Sequence, residues 1–112
     1  MGAKKRIRKF SQRRAAKERS YRKVWLELSY SLFACQGCGR NDVRIMPSHL
    51  IPRSYSIDLI DDPGNIRGHC LDCSMATEAG NYDVLDDAEI VKKYIEEQDP
   101  VFYRMKTMKD GP

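Results

Sequence analysis

"NIRGHCLDCSMATEAG", residues 65–80, decides the reading of this chain. Ile66 to His69 read as a short strand. Cys70-x2-Cys73 follows at once, and the rest reads as a short helix stopped by Gly80. Working outward, a second Cys-x-x-Cys lies upstream in "ACQGCGR", residues 34–40. A two-residue gap lets both thiolates of a pair reach one ion from a tight turn, and Gly37 and Gly39 supply the backbone freedom that turn needs. Cys35, Cys38, Cys70 and Cys73 together complete a tetrahedron, the closed geometry of a structural zinc site. The bland alternative is four reduced core cysteines that happen to fall in pairs.

The bulk numbers favour the metal. With 112 residues and 41% apolar content, one domain with a modest core is expected. Chains this short often need a metal to fold. No apolar signal core follows the basic N-terminus, so an intracellular location is expected. In a reducing compartment, paired cysteines indicate metal rather than disulfide. No apolar run approaches the roughly 20 residues that span a bilayer, so no membrane partner is expected.

Charge divides the chain. Residues 1–23 hold eleven Lys and Arg against one acid, Glu18, for a net +10; residues 24–112 hold nine basic and fifteen acidic residues, for −6. A cationic arm on an acidic domain suggests a polyanion partner, with phosphates held by Lys4, Lys5, Arg6, Arg8, Lys9, Arg13, Arg14 and Lys17. A solubilising tail, or one folded on an acidic protein, is the alternative.

The rest of the pattern predicts an α+β domain. Ser11 is a candidate N-cap for a helix running through "RRAAKERSYRKVWLELSYSLFA". Tyr21, Trp25, Leu28 and Leu32 form its apolar stripe, while its basic first turns project outward. A first strand is expected at Val43 to Met46. A C-terminal helix is expected from Asp86, with Glu89 completing a capping box and Pro100 ending it. The divisions are then a basic arm over 1–23, a zinc-bound domain over 24–99 and a tail over 100–112, which lies on the domain through Phe102 and Tyr103.

Between the two cysteine pairs come His49, in "SHLIPRSYS", and Asn65, in "DDPGNI". This order resembles the HNH endonuclease family, the zinc-stapled ββα-metal type found in phage recombination endonucleases and NinG-like proteins. The likeness covers roughly residues 35–81. It implies a small ββα-metal domain with a basic N-terminal helix and a C-terminal helix. His49 falls at the general-base position, and Asn65 at the position that holds the imidazole. Imidazole titrates where a base for phosphodiester hydrolysis is needed, and a divalent metal such as magnesium stabilises the growing charge. Arg53 and Arg67 lie near these elements and are candidate phosphate contacts.

Two positions depart from the family. Ser48 stands where many members have a ligating Asp, Glu or His, and Ser74 where His or Asn is common. Glu78 lies four residues after Ser74, on the same helical face, and is the candidate replacement carboxylate; the alternative is a solvated surface acid. His69 reads as a strand residue or a DNA contact. Three functions follow: a nuclease nicking or cutting DNA, a degenerate HNH-fold zinc module binding DNA or RNA, and a structural protein threading its arm into a nucleoprotein particle. Nucleic acid is the expected partner, DNA before RNA, with any assembly partner open.

Overall fold

A computed structural model describes residues 9–108, with the side chains of Lys9 and Phe10 excepted. Lys4, Lys5, Arg6 and Arg8 lie outside the described residues. The chain is α+β: helix α1 (Lys9–Ser29), strand β1 (Met46–His49), strand β2 (Ile66–His69), helix α2 (Leu71–Ala79), helix α3 (Ala88–Gln98) and helix α4 (Pro100–Thr107). The two strands pair antiparallel, Met46 opposite His69 and His49 opposite Ile66.

α1 carries Tyr21, Trp25 and Leu28 of the expected stripe, and Leu32 lies just beyond its end. Tyr21 is buried and packs with Ile57, Ile60 and Ile66, joined by Val24, Trp25 and Leu28. Leu32 closes on Gly68, where a β-carbon would collide with its Cδ1. The helix is shorter than expected. Ser11 lies inside it rather than capping it, and it stops at Ser29, where Ser29 and Ser31 hydroxyls donate to the carbonyls of Leu26 and Leu28. Such local bonds compete with helix continuation.

β1 begins three residues later than expected. β2 runs out at His69, because the Cys70 amide donates to Cys35 Sγ at 3.2 Å and Cys70 becomes the N-cap of α2. Val43 and Ile45 therefore have no strand to pair with and pack on the core instead. β2 and α2 fall where the sequence puts them, and Gly80 ends α2 at φ +83.

The C-terminal half departs in two ways. The expected Asp86–Glu89 capping box does not form: α3 starts after Asp87, whose carboxylate accepts from Arg67 Nε at 2.8 Å and sits 3.2 Å from His69 Nε2. Residues 100–107 are a fourth helix rather than a tail. Pro100 ends α3 but also fits the first turn of α4, and the Asp99 side chain accepts from the Phe102 amide at 3.0 Å. Phe102 is buried against the domain, as expected. The main core gathers Leu50, Ile51, Leu85, Val91, Ile95 and Phe102 around the buried cysteines.

Candidate functional site

The four cysteines meet. One Sγ from each lies within 4.8 Å of the other three, with Cys35, Cys70 and Cys73 buried and Cys38 exposed. Zinc–thiolate bonds of about 2.3 Å set tetrahedral S–S edges at roughly 3.8 Å, and Cys38 Sγ lies 3.8 Å from Cys70 Sγ. Local structure builds this nest. Gly39 takes φ +76, and a β-carbon on Gly37 would sit 2.8 Å from Cys73 Sγ. So Gly39 supplies a left-handed turn and Gly37 supplies space. Cys35 Sγ accepts from the amides of Gly37 and Cys70 at 3.3 and 3.2 Å. Burial pushes the Cys35 thiol up, but these donors outweigh it and bring it down to about 7; burial and the neighbouring thiols push Cys73 well above the ordinary value. Four crowded sulfurs of this kind fit a metal such as zinc, whose charge would resolve the conflict.

A second constellation lies where β1 ends. A cavity of about 420 Å³ is lined by Ser48 and His49 from β1, by Ser74 and Glu78 from α2, by Arg53 from the following loop and by Arg14 from α1. The hairpin and α2 thus bring together His49, the two departing positions Ser48 and Ser74, and the candidate carboxylate Glu78. His49 Nε2 lies 2.9 Å from the Ile60 carbonyl. A carbonyl only accepts, so Nε2 carries the proton and Nδ1 keeps its lone pair. Burial of the ring lowers the His49 pKa and Arg53 acts in the same direction, against the Ile60 bond and Glu18. The imidazole is therefore neutral at neutral pH.

The side-chain hydrogen bonds of Asn65 go to backbone groups rather than to His49. Its Oδ1 accepts from the Ile51 amide at 2.7 Å, and its Nδ2 donates to the carbonyls of Ile51 and Leu59, both at 3.0 Å. It ties the two ends of the loop whose Ile60 carbonyl holds the imidazole, so it acts one step removed from the expected contact.

Other expected contacts sit elsewhere. Arg67 is paired with Asp87 and is not among the residues lining the His49 cavity. His69 is fully buried beside the same carboxylate, which excludes the DNA contact considered from sequence. The described part of the arm does not simply project outward: Arg13 pairs with Asp58, Lys17 with Asp61 at 3.0 Å, and Glu18 with Arg53 at 2.9 Å. Three neighbours of His49 were not singled out as site residues from sequence: Tyr21, whose ring lies 4.7 Å from the imidazole, Glu18, and the Ile60 carbonyl. Glu18 had a signal, as the lone acid among the arm's cations.

The chain matches no protein-family model, no curated protein sequence and no solved structure. Among the described residues, no helix is long and apolar enough to cross a membrane.

Proposed function

We propose that the chain is an HNH-type endonuclease that nicks or cuts DNA, with His49 as general base, a divalent metal in the adjoining pocket and zinc on the four cysteines. One observation carries this reading: a carbonyl-anchored histidine shares a cavity with Ser48, Ser74, Glu78, Arg14 and Arg53. The Nδ1 lone pair takes a proton from water as the water oxygen attacks phosphorus, and the bond to the leaving oxygen breaks. Arg14 and Arg53 offer guanidinium forks to the phosphate oxygens. Glu78, with the Ser74 and Ser48 hydroxyls, is the oxygen set for magnesium or a similar cation. Such a cation, when bound, would stabilise charge on the phosphate and the leaving oxygen.

The second reading is a zinc module that keeps the architecture, binds DNA or RNA and has given up cleavage. Ser48 and Ser74 favour it, since neutral hydroxyls are weak ligands for a hard cation and, among the described residues, Glu78 is the one carboxylate lining the cavity. Plasmid nicking in magnesium, manganese or nickel separates the two. Wild type is expected to relax supercoiled DNA and His49→Ala is not. A wild type that binds DNA yet leaves plasmid intact with each metal establishes the second reading.

A further inference from the structure

Glu18 is the single acid among the first 23 residues, eleven of which are Lys or Arg. In an arm that gathers cations against a polyanion an acid is a liability, because each cation it neutralises is one phosphate contact fewer. Its contacts give it another task. Oε1 accepts from Arg53 Nη1 at 2.9 Å, and Oε2 lies 3.7 Å from Arg14 Nε, one turn back on α1. The two arginines come from different elements, yet both line the cavity that holds His49. Arg53 is held from a second side as well: its guanidinium lies 5.2 Å from the centroid of the Tyr21 ring, the same ring that packs on His49. The Arg14 and Arg53 side chains are 42% and 43% exposed, whereas that of Glu18 is 22% exposed. The cations are open to a ligand while their anchor is largely covered.

We propose that Arg14 and Arg53 form a phosphate clamp at the mouth of the cavity, and that Glu18 is the positioning residue that aims both at one phosphodiester group of a nucleic-acid strand. Each guanidinium has five N–H donors in a rigid fork, so one carboxylate bond leaves most of them for a ligand. Two like charges brought together before the ligand arrives need an anion to hold them, and a clamp set in advance loses less entropy on binding. The inference rests on the nucleic-acid part of the proposed function and not on cleavage.

Glu18→Gln raises the arm's charge by one, so cation counting alone predicts tighter binding. The clamp demands the opposite. The experiment uses the full-length, zinc-loaded chain and a short fluorescein-labelled DNA duplex, read by fluorescence anisotropy over a salt series with no further divalent metal. Glu18→Gln is expected to weaken binding about 3- to 10-fold, the scale of one misaligned charge-assisted contact. In a background with both Arg14→Ala and Arg53→Ala the same substitution should no longer weaken binding, because Glu18 acts through these two arginines. If wild type binds and Glu18→Gln leaves affinity unchanged or tighter, the clamp is wrong and the nucleic-acid reading stands. Equal weakening in both backgrounds also overturns it. If wild type binds neither this duplex nor an RNA duplex of the same sequence and label, the nucleic-acid reading falls and takes the clamp with it.

Discussion

As the proposed base, His49 would work only while neutral, and its surroundings decide the pH range in which it is. Burial lowers its pKa, with Arg53 adding to the effect. The acid limb of the cleavage profile is therefore expected below the ordinary imidazole value of about 6.5. Stability runs with the same sign: the unfolded chain takes up the proton first, so folding free energy is lost as pH falls through the unfolded value toward the folded one. His49→Ala should reduce cleavage by about 100- to 10,000-fold with DNA affinity nearly unchanged, since a base contributes in the transition state. Equal cleavage by wild type and His49→Ala would remove the histidine from the chemistry. Asn65 makes a different case. Fully buried and bonded to three backbone groups, Asn65→Ala should destabilise by roughly 2–4 kcal/mol and release the loop that presents Ile60. An unchanged thermal midpoint would mean water replaces those bonds.

Elements differ in how far the sequence announced them. β2 and α2 were legible because Gly80 and the cysteine pair mark their ends. β1 was legible in kind but not in place, because its register depends on where β2 stops, and that is set by a Cys70–Cys35 contact 35 residues apart in sequence. α4 was hidden because Pro100 was read as an ending, while the same residue opens the next helix with Asp99 as its cap. Asp99→Ala should cost about 1 kcal/mol, seen as a lower thermal midpoint. Within the candidate site, local motifs pointed to His49, Ser74 and Glu78; the apolar stripe announced that α1 docks, but not that its placement sets Tyr21 and Glu18 beside His49. That docking changes what truncation measures. Removing residues 1–8 should flatten the salt dependence of nucleic-acid binding by shedding Lys4, Lys5, Arg6 and Arg8. Removing residues 1–23 should also lower stability, because Tyr21 leaves the packing around Ile60. If the longer deletion melts like wild type, α1 is not part of the folded unit.

At the scale of the whole molecule the cysteine cluster sits inside the main core rather than beside it. Cys35, Cys70 and Cys73 are buried with Leu50, Leu85 and Val91, so the sulfur nest and the apolar packing form together or not at all. The magnitudes decide what metal removal does. Structural zinc contributes about 10–16 kcal/mol of apparent binding free energy at neutral pH, while a domain of this size has a net stability of only about 5–15 kcal/mol. Loss of the ion should therefore unfold the chain rather than loosen it. Purified protein is expected to carry one zinc per chain, and a strong chelator should abolish its helical circular dichroism and its cooperative melt. Acid should act in the same way, since the ligands must be thiolates and protonation competes with the metal. Each thiolate that a proton reclaims weakens the hold on the ion, so zinc release should advance as pH falls at low zinc and recede as zinc is added. A metal-free chain that keeps both its spectrum and its melting transition would show that apolar packing suffices, and that the four sulfurs are only core residues lying close together.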